Sequence, residues 1–291
     1  MAVFSEIRES LRYLFADIIG EQDGSMPHLP PGLPEAAVPV ASDAIHLLIE
    51  YQGTRYARLY VERLTRFVGR RGVDEAMVLE IARLTAMRMS YEDAIRIAQL
   101  KLLELEAYPD TPRADDVRKL RLDEMVEALP TVVAEPVLDV LNRFGWVHKR
   151  VSIRFSTASR FSIRRLKIEA SLRRWRRYSI RYSKERNWVE RWLHMVDRAL
   201  TRQPAAAPAI IDTASMVQGY GDAYRHGLAD WHAIIDGLAK PTFDGVLHLT
   251  DLASAIAEAR GAAMPDPRQA ALKRKIAEIR ARCSATDAAA E

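Results

Sequence analysis

A single cysteine in 291 residues removes several classes of protein at once. Cys283 cannot close an internal disulfide, supply the four ligands of a structural zinc site or hold an iron–sulfur cluster unaided. Glycine is also scarce, at 13 residues, or about 4.5% where proteins average near 7%. Nucleotide-binding α/β enzymes place glycines in phosphate loops and tight turns, and few are available here. No stretch of about eighteen consecutive apolar residues exists, so no transmembrane helix is expected. Glu6, Arg8, Glu9, Arg12 and Asp17 interrupt the apolar residues of the N-terminal segment, so it lacks a signal-peptide core. With one thiol besides, a cytoplasmic location is the expectation.

The motifs of common chemistries are missing too. There is no G-x-x-x-x-G-K-[ST], no G-x-S-x-G, no H-E-x-x-H and no G-D-G…N-N run of the kind that holds magnesium and thiamine diphosphate. The nearest approach to a dinucleotide fingerprint is Gly219-Tyr220-Gly221-Asp222-Ala223-Tyr224, which lacks the third glycine and reads as a helix-breaking turn. His226, Asp230 and His232 come closest to a metal cluster, but no fourth ligand lies nearby in sequence. A structural or surface role suits them better. Paired acids such as Glu92-Asp93 and Asp115-Asp116 fall at helix starts, where the helix dipole explains them. No catalytic, cofactor-binding or metal-binding residue is assigned, and no cofactor is expected in this chain.

What is present is helical periodicity. Phe4, Ile7, Leu11, Leu14, Phe15 and Ile18 predict an amphipathic N-terminal arm over 1–20, followed by a proline-rich linker over 21–41. A helical body spans 42–262, and a polar C-terminal helix and tail occupies 263–291. Within the body, Ser42 is a plausible cap for a helix over 43–51, and Ser90–Asp93 for one running to about Ala107. Residues 115–129 read as a further helix. Val147–Phe155 alternates and is the one convincing strand, with no evident partner. The expected fold is all-α or nearly so: a multi-helix globular body with an N-terminal helical arm and at most one or two short strands.

The compositional anomaly is charge. Between Lys149 and Arg191 stand fifteen lysines and arginines against three acids, Glu169, Glu185 and Glu190. The whole chain carries only +4, so the remainder is acidic on balance. Arg173, Arg174, Arg176, Arg177 and Arg181 form the densest part, interleaved with Trp175, Tyr178 and Tyr182. Arginine with aromatics over 149–191 suits nucleic acid, because guanidinium pairs with phosphate while rings stack on bases. The same arginines can instead pair with the acidic body or with a partner subunit, and the aromatics repeat at core spacing. A helical pocket around Tyr220, Asp222, Arg225 and Trp231, as in a free-standing enzyme, is a weaker alternative.

Four runs carry a resemblance. They are Tyr51-Gln52-Gly53-Thr54-Arg55-Tyr56-Ala57-Arg58-Leu59-Tyr60, Met89–Ala98, Leu172–Arg177 with Glu190-Arg191-Trp192-Leu193, and Val217-Gln218-Gly219-Tyr220-Gly221-Asp222. In this order they resemble the helical C-terminal region of indolepyruvate oxidoreductase subunit proteins, in the 2-oxoacid:ferredoxin oxidoreductase family, over roughly residues 30–260. The resemblance implies membership of a complex that decarboxylates arylpyruvates oxidatively, with thiamine diphosphate, coenzyme A and iron–sulfur clusters on partner subunits. In the relatives this region follows a doubly wound domain that is not found in this sequence. The expectation is therefore a non-catalytic accessory subunit that works by protein–protein docking, with the arm and the arginine-rich helix as its surfaces.

Overall fold

The computed structural model describes residues 24–108, 116–266 and 268–290, with side chains as far as Cys283. The arm expected over 1–20 lies outside the described residues. The described chain is mostly helical with one two-stranded sheet, as its periodicity predicts. It divides into two units. The first contains the described residues of 24–27, 45–59 and 90–187; the second those of 28–44, 60–89 and 188–290.

The helices are α1 (Ala37–Tyr51), α2 (Thr54–Thr65), α3 (Glu75–Met89) and α4 (Ala94–Ala107), then α5 (Leu122–Glu127), α6 (Thr131–Arg143) and α7 (Arg160–Ser171). After a 3-10 segment, Leu172–Tyr178, come α8 (Ile180–Arg202), α9 (Ala207–Asp212), α10 (Gly221–Ile234), α11 (Lys240–Phe243), α12 (Leu252–Gly261) and α13 (Ala270–Ala290). A π-helical turn, Ile235–Ala239, joins α10 to α11.

Several boundaries depart from expectation for identifiable reasons. The linker ends sooner, because Pro39 falls in the first turn of α1, where its missing N–H has no helical partner to lose. Asp93, not Ser90, caps α4: its Oδ1 accepts from the Arg96 backbone N–H at 2.7 Å. The helix expected over 115–129 begins instead as a strand, β1 (Asp116–Arg121), and only then becomes α5. Antiparallel pairing with β2 (Arg150–Phe155), in the register Asp116↔Phe155 to Arg121↔Arg150, supplies the partner that the alternating segment needed.

In the first unit, α4 and α7 pack through Ile97, Ala98 and Leu166, and β2 adds the buried ring of Phe155. In the second, Trp188, Trp192 and Trp231 form the aromatic centre. Trp188 stacks on Trp192 with centroids 6.3 Å apart and meets Trp231 edge-on at 5.1 Å. Two of these buried indoles find acceptors: Trp192 donates to the Ile210 carbonyl at 3.2 Å and Trp231 to Thr213 Oγ1 at 3.1 Å, whereas Trp188 Nε1 has none among the described residues. Charge pairing follows the same economy. Glu190 accepts from Arg63 at 2.9 Å and Arg66 at 3.1 Å, and Asp197 binds Arg66 and Arg70.

Candidate docking surface

The densest arginine run faces inward. Arg176, at 1% exposure, donates through Nε to Asp93 Oδ2 at 2.7 Å and through Nη2 to Asp93 Oδ1 at 2.9 Å. Its Nη1 donates to the Tyr51 carbonyl at 2.6 Å, and its guanidinium lies 3.7 Å from the centroid of the Tyr51 ring. Tyr51 in turn donates to the Tyr91 carbonyl at 2.9 Å, and the rings of Tyr56 and Tyr182 extend the cluster. Burial by itself disfavours the charged guanidinium, but Asp93 and the phenols of Tyr51 and Tyr91 together outweigh it and hold the group above its ordinary pKa. Burial drives the phenols of Tyr51 and Tyr91 well above theirs.

This corrects the assignment of Arg176 to an interaction surface. The 3-10 segment swings it over Tyr51 and Asp93, where a buried cation must be paired. Its neighbours are engaged as well. Arg173 donates to the Glu50 carbonyl at 3.0 Å, Arg177 packs 4.6 Å from the Tyr178 centroid, and Arg181 pairs with Glu185 at 2.8 Å. Arg174 is half-buried. Tyr51, Asp93 and Arg176 belong to three of the four sequence runs described above, so those runs meet in one buried ion-pair cluster.

The second set of residues does not converge. Trp231 is wholly buried in the aromatic centre, whereas Asp222 and Arg225 pair with each other at 2.5 Å on α10. A cavity of about 550 Å³ does lie alongside, but none of Tyr220, Asp222, Arg225 and Trp231 lines it; Ser215, His226, Gly227, Asp230 and Arg260 do. Its charged groups are already committed. Asp230 accepts from Gln269 Nε2 at 2.7 Å, and Arg260 pairs with Asp212 and donates to Ser215 Oγ at 3.2 Å. Sequence reasoning missed both partnerships, since they join residues 39 and 48 positions apart. No group of three metal-ligating side chains occurs among the described residues.

His232 bonds Arg191 rather than its sequence neighbours, at 3.0 Å. Burial and the adjacent Arg191 cation lower its pKa from the ordinary 6.5, with Asp236 opposing. A histidine less basic folded than unfolded contributes its stability in full above the unfolded value, and loses it as pH falls through the folded one. In His232→Gln, the melting temperature should therefore fall less steeply below about pH 6.5 than in the wild type. Melting curves of the two proteins across that range check this.

What the arginine run does not offer, α6 does. Among its residues only Ala134 is buried. Val133, Val137, Val140 and Phe144, spaced 4-3-4, fall within about 60° of one another on the helix, which is the spacing of a helix–helix seam. Val140 is 55% exposed and Phe144 60%. Glu135 and Asp139 lie about 100–180° from these four residues round the helix axis. At the C-terminus Gly145, at φ +67°, takes the left-handed conformation and lets Trp146 N–H reach the Leu141 carbonyl at 2.8 Å. That turn folds Trp146, 51% exposed, back to 5.4 Å from Phe144, and Lys149 Nζ sits 5.3 Å from the indole centroid. The result is an exposed apolar strip whose nearest charges, Arg143 and Lys149, are positive. The signal for it in the sequence is the 4-3-4 spacing of apolar residues over 133–144.

Fold and surface together define a mostly helical protein whose most sharply patterned exposed feature is a helix seam with a basic rim. The chain belongs to the family described as a family of unknown function (DUF6537), which matches residues 37–237. Neither a curated protein nor a solved structure matches it.

Proposed function

We propose that the chain is a non-catalytic docking subunit of an indolepyruvate-type 2-oxoacid:ferredoxin oxidoreductase complex. The observation that carries a docking role is the strip Val137–Val140–Phe144–Trp146, exposed among the described residues. An apolar helical seam of this kind is costly to leave in water and complete only against another helix. The complex is inferred from the four sequence runs and their order. Thiamine diphosphate and iron–sulfur clusters would then belong to partner subunits. In keeping with this, the lone thiol of Cys283 is buried and donates to the His248 carbonyl at 3.0 Å. Nucleic-acid binding by residues 149–191 is supported less well, because within that segment Trp188 is a core residue with no face for a base and Tyr182 packs on Tyr56. No helix among the described residues is long and apolar enough to cross a membrane.

Co-expression with the thiamine-dependent subunit tests the proposal. The wild-type chain should retain that subunit through affinity purification. Val140→Asp with Phe144→Ser should lower recovery by about tenfold, while changing folding stability by only about 0.5 kcal/mol, because both side chains are exposed. A wild-type chain that retains no such subunit overturns the proposal.

A further inference from the structure

The outer face of α7 shows a different pattern from the α6 seam. Leu166 is the buried residue of α7, and on the opposite side Phe161 and Ile168 lie within about 20° of each other, one heptad apart. Phe161 is 79% exposed and Ile168 57%. Arg160, Arg164 and Lys167 are exposed around them, and their side chains make no hydrogen bond or ion pair with any described residue. The single acid of α7, Glu169, accepts from Arg165 at 2.9 Å and lies toward the inner side. The face therefore combines two large apolar side chains, three unpaired cations and no carboxylate. It continues a longer bias: residues 140–168 contain eight lysines and arginines and no acid.

We propose that this face binds the surface of an anionic lipid bilayer, with Phe161 and Ile168 inserted among the headgroups and Arg160, Arg164 and Lys167 on lipid phosphates. Charge complementarity selects an anionic occupant, and the arrangement of the side chains selects among anions. Arg164 falls between Phe161 and Ile168, so a protein interface closing over both would strip water from an unpaired guanidinium at its centre. At a bilayer surface the long basic side chains stay at the phosphate level while the apolar groups go deeper. Nucleic acid would use Phe161 for stacking, but Ile168 offers no flat face to a base.

Flotation of the full chain with vesicles tests this. The chain should float with phosphatidylcholine vesicles containing about 30 mol% phosphatidylserine at about 0.1 M salt, and not with phosphatidylcholine alone. Raising salt to about 0.5 M should release it. Phe161→Ser with Ile168→Ser should lower partitioning by about tenfold, and Arg164→Glu with Lys167→Glu should abolish it. Unchanged circular dichroism and melting would show both variants folded, as expected for exposed positions. The proposal is overturned if the wild type does not float with the anionic vesicles, or if neither double variant reduces flotation. Retention by single-stranded DNA without flotation would assign the cations to another polyanion, and would likewise overturn it.

Discussion

Arg176→Met should cost the protein about 3–5 kcal/mol, because it strips a nearly buried carboxylate of its counter-ion. Asp93 receives both arms of the Arg176 fork, at 2.7 and 2.9 Å, and its only other observed donor is the Arg96 backbone N–H. Methionine fills part of the volume, yet leaves the carboxylate charged and the Tyr51 carbonyl without its donor at 2.6 Å. Arg176→Lys keeps the charge but not the planar fork or the stacking on Tyr51, so it should recover only part of the loss. The diagnostic comparison is the pair Arg176→Met with Asp93→Asn. Asparagine still caps α4, and it removes the stranded charge, so the double variant should be more stable than Arg176→Met alone. Urea unfolding of the three variants measures this. A loss below about 1 kcal/mol for Arg176→Met would mean that the cluster is not an anchor.

The second large effect concerns one missing methyl group. A Cβ added at Gly227 would stand 2.1 Å from the Met216 carbonyl oxygen and 3.3 Å from Val217 Cα. Those obstacles are backbone, and the segment is tied down further by Arg88, which donates to the Val217 carbonyl. Neither side can yield without moving a helix, so Gly227→Ala should cost about 3 kcal/mol despite its small size. Gly237→Ala serves as the control. There the nearest atom is Ile276 Cγ2 at 2.9 Å, a side-chain carbon that can rotate away, so the loss should stay near about 1 kcal/mol. Equal losses at the two glycines would show that the approach of α10 to the 213–217 segment is looser than it looks.

Periodicity made most helices legible, since α8 and α12 each bury a stripe at helical spacing, although α4 instead buries five consecutive residues, 95–99. The misread stretch, 115–129, shows where such reasoning ends. Asp116–Arg121 is six residues long and alternates only weakly, and its partner lies about 30 residues downstream, so nothing local marks it as a strand. The arginine run failed in another way. Charge density told where the cations are but not which way they point, and direction came from the 3-10 turn that aims Arg176 at Asp93. The α6 seam was open to a count of residues 133–144, whereas the cavity beside Gly227 was not. It depends on pairs such as Asp230–Gln269, between segments that share no pattern.

The ion pair at Asp93 also sets an order of events during synthesis. Its two partners are separated by 83 positions, and the Tyr51 carbonyl waits 125 positions for the same guanidinium. A nascent chain thus displays Tyr51, Tyr91 and Asp93 long before Arg176 leaves the ribosome. Through that interval α4 has its cap but not its counter-ion, and the tyrosine rings remain open to water or to a chaperone. Closure of the first unit is then a late, long-range step, of the kind that folds slowly whatever its final stability.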